Sequence, residues 1–267
     1  MRQERLYRTE GIVLREMDYG EADRILTILT PTGRISALAK GIRRATSRKA
    51  GHLGLFVRAN LLMARGRNLD IVTQAESLEE FEGLHQDLLR FTYACYAAEL
   101  VDCLAQEEEG SAELYRLLLD GLRCFSTESD LRLWMRYFEL RLLRYAGFQP
   151  ELFTCLGCGQ EIRPQRNYFS AVEGGFLCAR CGERAPTARQ VSLNAQKVLR
   201  FLQTRDAEAV GRLRLTESTH AEVEAILQGY LEYVLEREVR SAAFLRRLRA
   251  ELRAGKGQQV ENDEPNL

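Results

Sequence analysis

Arg24-Ile-Leu-Thr-Ile-Leu-Thr30, then Pro31-Thr32-Gly33, then Arg34-Ile-Ser-Ala-Leu-Ala-Lys40 reads as two β-strands joined by a tight turn. Aliphatic and β-branched residues fill the first run, and the Pro-x-Gly segment carries turn chemistry. In the second run Ile35, Ala37 and Ala39 alternate with Arg34, Ser36, Leu38 and Lys40, the period of a pleated strand. Upstream, Gly11-Ile-Val-Leu-Arg15 is a further β-rich run, separated from Arg24 by the polar stretch Met17 to Asp23. Downstream, Leu53 to Arg65 is strand-like and Gly66-Arg67-Asn68 makes a turn. Leu69, Ile71, Thr73 and Ala75 then alternate with Asp70, Val72, Gln74 and Glu76, predicting a half-buried strand. Strands this close together, with no helix between them, predict a small closed or nearly closed barrel over residues 1–78.

From Glu79 the period lengthens. Leu84, Leu88, Phe91, Cys95, Ala98 and Val101 recur at helical spacing, as do Leu114, Leu117, Leu118 and Leu122. A third helix is predicted after a Ser129 cap, through Leu131, Trp134, Phe138, Leu142 and Tyr145, with a stop at Gly147 before Pro150. Residues 151–187 lose this periodicity. Helical patterning returns over 188–254, with Ser192 as one cap and Thr219 with Glu222 as a capping box. Residues 255–267 read as a polar, disordered tail. The expected fold is α+β: a barrel, a helical bundle over 79–150 and 188–254, and a module over 151–187 inserted in the bundle.

Hydrophobic content of 45% and charged content of 28% suit a globular chain that buries a core. No apolar run has the length of a membrane span, and the charged first ten residues lack a signal peptide's apolar segment. The expectation is a cytoplasmic protein with reduced thiols. Net charge is zero, yet it is segregated. Arg34 to Arg67 holds nine cations and no acid, whereas Glu76 to Asp130 holds fourteen acids and three cations. Seven further cations lie between Arg237 and Lys256. Such separation within a neutral total points to surfaces that face different partners.

Cys155-Leu-Gly-Cys158-Gly159 and Cys178-Ala-Arg-Cys181-Gly182 form two CxxC knuckles nineteen residues apart. The spacing is that of a zinc ribbon. Two intervening residues let one turn present both sulfurs to the same ion, and the following glycine permits the positive φ that closes such a turn. Four thiolates saturate a tetrahedral ion and leave no position for substrate, so the implied Zn2+ is structural. An iron centre of the same geometry, two disulfides or one redox pair are the alternatives. The module has few apolar side chains, so metal binding is expected to supply its folding energy. Cys95, Cys103 and Cys124 fall in the helical patterns as core residues.

The cation run suggests phosphate binding. Arg34, Lys40, Arg43, Arg44, Arg48, Lys49, Arg65 and Arg67 are the DNA-binding candidates, concentrated in Lys40-Gly-Ile-Arg-Arg44 and Ser47-Arg-Lys49. Aromatic residues are sparse before residue 79: Tyr7, Tyr19 and Phe56. Base stacking should therefore contribute little, and phosphate neutralisation should dominate, with steep salt dependence and little discrimination between single and double strands.

Gly11 to Arg15, Asp18-Tyr-Gly-Glu21, Asp23-Arg24, Ala39-Lys-Gly-Ile-Arg-Arg44, Ser47-Arg48 and Arg144-Tyr-Ala-Gly-Phe-Gln-Pro150 together resemble the bacterial recombination mediator family RecO. The likeness runs through nearly the whole chain in the same order. It implies an OB-fold barrel, binding of single- and double-stranded DNA, strand annealing, and recombinase loading together with RecR. It also implies contact with the acidic C-terminal tail of single-strand DNA-binding protein through the helices, and no catalysis. Arg132, Arg136 and Arg141 could border a groove for that tail, although ordinary surface arginines are the plainer reading.

Two other readings compete. An RNA-binding zinc-ribbon protein would share the phosphate chemistry. A metal-dependent nuclease would need an open metal position, yet His52, His85 and His220 are scattered, and Asp18, Glu21 and Asp23 read as a loop pairing with Arg24 or Arg15.

Overall fold

The computed structural model describes residues 5–105 and 112–262, with side chains described as far as Leu252. The chain divides into two units, one of residues 1–127 and 239–267, the other of Glu128–Glu238.

The first unit opens with five strands: β1 (Leu6–Tyr19), β2 (Asp23–Thr30), β3 (Gly33–Ala39), β4 (Arg58–Ala64) and β5 (Asp70–Glu79). They close in the order β1-β2-β3-β5-β4, with β4 pairing back onto β1. The β3–β5 seam is parallel and short, Ala37 with Asp70 and Leu38 with Ile71. This is an OB-fold barrel. Val13, Leu26, Ile28, Ala37, Ala39, Leu61, Met63 and Val72 fill its interior, each 5% exposed or less. Gly11 lines it as well, because a Cβ there would stand 2.5 Å from Ile28.

The strands differ from expectation in three places. β1 runs on to Tyr19, so Met17 and Asp18 are strand rather than loop. Leu53, Phe56 and Val57 are buried ahead of the strand, with Phe56 at positive φ, and the strand begins only at Arg58. In β5 the buried residue is Val72, with Ala75 half-buried, because the pairing shifts between Leu62 and Met63. A bulge adds one residue and swaps the faces, which simple alternation does not anticipate.

Helices follow: α1 (Glu82–Gln86), α2 (Leu88–Leu104) and α3 (Ala112–Thr127). Leu88 opens α2 at 61% exposure instead of joining the core. Arg58 ties β4 to Glu10 on β1 at 2.9 Å and to Glu79 on β5 at 3.4 Å, and Arg123 on α3 reaches Glu79 at 2.8 Å. Tyr115 on α3 donates to Glu10. These contacts, with α2 against β1 and α3 against β2, seat the helices on part of the barrel's outer surface.

The second unit begins with α4 (Leu131–Tyr145), capped by Asp130, which accepts from the Leu133 amide, rather than by Ser129. Then come β6 (Asn167–Ser170), β7 (Gly175–Cys178), the short α5 (Ala179–Gly182) and β8 (Arg189–Val191), in the sheet order β7-β6-β8. α6 (Leu193–Thr204) has the expected Ser192 cap, followed by α7 (Ala207–Gly211) and α8 (Glu217–Leu235). The cap of α8 is Thr216. Glu222, expected in a capping box there, instead accepts from the Ser192 amide and hydroxyl. α9 (Arg240–Asn262) returns to the first unit against α2, where Glu99 accepts from the amides of Arg240 and Ser241. It continues through 255–262, part of the stretch expected to be disordered; residues 263–267 lie outside the described residues.

Candidate metal centre and nucleic-acid interface

The four sulfurs of Cys155, Cys158, Cys178 and Cys181 lie within 4.8 Å of one another. A tetrahedron of sulfurs ~2.3 Å from an ion has edges of about 3.8 Å, and Cys158 and Cys178 stand 3.9 Å apart. Gly159 closes the first knuckle at φ +71°. Gly182 serves differently: it sits in α5, and a Cβ there would press 2.3 Å from the Tyr168 ring. Gly157 leaves room for Cys181, whose Sγ would lie 3.0 Å from an added Cβ.

Amides point at the sulfurs. The Cys178 N–H donates to Cys155 Sγ at 3.2 Å. Burial pushes the Cys155 thiol up, but the amides of Cys178, Gly157 and Cys158 outweigh it and hold the group at about 6. Cys181, crowded by Cys178 and the other thiols, is pushed to about 12. Such opposed shifts belong to thiols that cannot all ionise together unless a cation joins them. The convergence of the four sulfurs is what lets the cluster hold a metal ion. It is not the module's only support. Leu152, Ile162, Phe169, Phe176, Leu177 and Val191 are all at most 4% exposed, and Phe169 meets Tyr230 of α8 edge-on. Arg200 of α6 donates to the carbonyls of Leu152 and Ile162. The expectation that metal alone organises this stretch gives way to a packed sheet anchored on two helices.

The cation run separates into groups. Arg34 pairs with Asp102 of α2 at 2.9 Å, and Arg58 is held by Glu10 and Glu79. Lys49 is half-buried, donating to the Val72 carbonyl at 2.9 Å. Arg43 lies 3.4 Å from Asp18. Lys40, Arg44 and Arg48 are exposed and make no ion pair among the described residues. They share one turn-rich segment. Its backbone is fastened by Gly41 N–H to Asp23 at 2.7 Å, Arg43 N–H to the Ala22 carbonyl at 2.9 Å, and Arg44 N–H to the Gly41 carbonyl at 3.2 Å. Gly41 adopts φ +65°, which a side chain would strain. Arg65 and Arg67 occupy the β4–β5 turn, with Arg65 4.9 Å over the Tyr7 ring. The parallel β3–β5 seam is two residue pairs long, Ala37 with Asp70 and Leu38 with Ile71, so both turns adjoin it, and Lys49 reaches the Val72 carbonyl from the first of them. Cations that are neighbours in sequence thus divide into exposed residues on two turns and several internal ties.

Asp18 binds Arg24 at 3.0 Å, and Asp23 caps the turn, so these carboxylates organise the loop. Of the α4 arginines only Arg136 is enclosed; Arg132 and Arg141 are half-buried. Arg136 is 2% exposed and pairs at 2.8 Å with the fully buried Glu139. Arg132 is bound by Glu217 and Glu224, and Arg141 donates to the Arg205 carbonyl. Cys95, Cys103 and Cys124 are half-buried rather than fully enclosed. No helix among the described residues is long and apolar enough to cross a membrane.

The profile of the N-terminal domain of Recombination protein O matches residues 1–81, and that of its C-terminal domain matches residues 85–243. The chain belongs to the Recombination protein O family. A DNA repair protein RecO of Roseiflexus sp. (strain RS-1) is 46% identical over 94% of this chain and 88% of its own length. One from Desulforudis audaxviator (strain MP104C) is 43% identical over 91% of this chain and 97% of its own. Another, from Dehalococcoides mccartyi (strain ATCC BAA-2266 / KCTC 15142 / 195), is 35% identical over 90% and 94%. In this RecO-family chain both matched regions contain the features described above: the OB-fold barrel in the first, the cysteine cluster in the second.

Proposed function

We propose that the chain is a non-catalytic recombination mediator in DNA repair, binding single- and double-stranded DNA through the barrel of residues 1–78. The observation that carries this reading is the Lys40–Arg48 turn, an exposed cation cluster on an OB-fold in a chain whose relatives are named as DNA repair proteins. Lys40, Arg44 and Arg48 meet phosphates, Arg65 and Arg67 form a second contact, and Arg43 joins when phosphate displaces Asp18. Arg34 and Lys49 contribute to the fold first and to DNA second. Bound strands are held for annealing, and the protein works with RecR in loading the recombinase and receives the acidic tail of single-strand DNA-binding protein on its helices. The cysteine cluster holds a structural Zn2+, and the protein acts in the cytoplasm at the nucleoid.

Annealing of complementary oligonucleotides by the wild type and by Lys40→Ala/Arg44→Ala/Arg48→Ala tests the reading. The variant should anneal at least tenfold more slowly. Its salt slope on single strands should fall by about 2, three contacts at ~0.7 each. Unchanged annealing in a folded variant refutes the assignment of this turn, and preference for matched RNA over DNA strands favours an RNA-binding protein.

A further inference from the structure

Past the end of α4, the chain of the second unit turns one phenyl ring into solvent. Gly147 makes the turn at φ +80°, and the Phe148 backbone is then pinned on both sides. Its N–H donates to the Leu143 carbonyl at 2.8 Å, and its carbonyl accepts from the Tyr230 hydroxyl at 3.0 Å. The ring so fixed is 48% exposed. Val172 of the β6–β7 turn and Tyr233 of α8 accompany it, both with half or more of their surface exposed. That turn is fastened too: Gly174 N–H donates to the Ser170 carbonyl, and Glu151 N–H to the Gly174 carbonyl, each at 3.0 Å. These residues line an open groove of about 650 Å3 within the second unit.

Apolar side chains gathered on fixed backbone and facing water mark a surface that another molecule covers. Charge says which. Glu173, Glu232 and Glu236 edge the groove and make no ion pair among the described residues, and no cation is among the lining residues. α8 ends here with no basic residue in its last turn, so the partial negative charge of its C-terminus adds to that of the carboxylates. Such an edge repels a polyphosphate strand or an acidic peptide and attracts lysine and arginine. We propose that this groove docks a cationic segment of a partner protein, a stretch of Lys and Arg carrying one apolar anchor. The anchor enters between Phe148, Val172 and Tyr233, and the cations meet the three carboxylates and the ring faces. The site goes beyond the DNA-binding reading and uses none of its residues.

Full-length protein purified without chelators should be titrated with three fluorescein-labelled peptides of equal length. One has Lys and Arg around a central Leu-Phe pair, the second has Glu in place of every cation, and the third has Ser in place of the pair. The first should bind about tenfold tighter than either of the others, the effect of losing one anchor or its flanking charges. Glu173→Lys/Glu232→Lys and Tyr233→Ser should each weaken it about tenfold, with the unfolding midpoint and oligonucleotide annealing at wild-type values. Absence of binding, equal binding of all three peptides, tighter binding of the acidic one, or wild-type affinity in both variants overturns the proposal. A dimer in sedimentation that Tyr233→Ser dissolves also overturns it, because a second copy of this chain is then the occupant.

Discussion

The cysteine cluster and the cationic front of the barrel are both short patterns of one chemical type, and folding treats them in opposite ways. All four cysteines converge, because each CxxC pair is already set by one local turn and only two knuckles must meet. The cations disperse. Arg34 finds Asp102, 68 residues away, and Arg58 finds Glu10, 48 residues away, while Lys40, Arg44 and Arg48 remain on the surface. Ligand geometry is a local property of the chain, whereas the availability of a charge depends on which distant residue lies beside it.

The largest expected effect probes the converging region. Cys178→Ser, or chelation, should release one metal ion per chain, read by elemental mass spectrometry, and destabilise the second unit. Structural zinc contributes on the order of 10 kcal/mol in small peptides. The sheet here also packs on α6 and α8, so the loss should be a part of that figure, with the barrel's unfolding midpoint unchanged. Wild-type protein free of metal when purified without chelators would break the comparison at its firmer end.

Next in size is the buried Arg136–Glu139 pair. Arg136→Ala removes the Arg136 charge from the enclosed Glu139 and should cost about 3–5 kcal/mol in chemical denaturation, while Arg136→Leu/Glu139→Leu should recover most of that. A small loss for the single variant would return Arg136 to the solvent-facing role considered for it.

The acid arm of stability tests the ties within the barrel unit. Glu10 is held below its ordinary value chiefly by the Arg58 hydrogen bond, and Glu79 by the Arg123 hydrogen bond. Folded-state values below the unfolded ones mean that this stabilisation is present above the ordinary carboxylate value of 4.5 and is lost as pH falls below it. Glu10→Gln/Glu79→Gln should flatten the denaturation midpoint between about pH 5 and pH 2. An unchanged slope would remove these carboxylates from the account.

The smallest effect sharpens the contrast between paired and exposed cations. Asp102→Ala removes one carboxylate from Arg34, and the partly exposed pair should lose no more than about 1 kcal/mol of stability. Oligonucleotide affinity should rise a fewfold at low salt. A fall in affinity would mean that Asp102 positions Arg34 for DNA instead of withholding it.

Much was legible from pattern alone. Residues 24–40 announced their hairpin, which β2 and β3 reproduce almost residue for residue, because alternation and turn chemistry are local. The Ser192 cap and the Gly147 stop were readable for the same reason. The break in the β5 alternation could not be read because a bulge obeys the partner strand's pairing, and Thr219 was misread as a cap because Glu222 had a competing partner in Ser192. Tyr19 and Arg15 stand in the family-like motifs, but no local pattern placed them on one face. Their place on the outer face follows from a register spanning four strands.

By itself the sequence determined the strand and helix periods, the two knuckles and the segregation of charge, each written within one continuous stretch of the chain. Only the tertiary structure decided which arginines are buried, which are paired and which face solvent. Periodicity and turn chemistry act through the backbone over a few residues. Burial and pairing depend on neighbours brought together by chain closure, and no local window contains them.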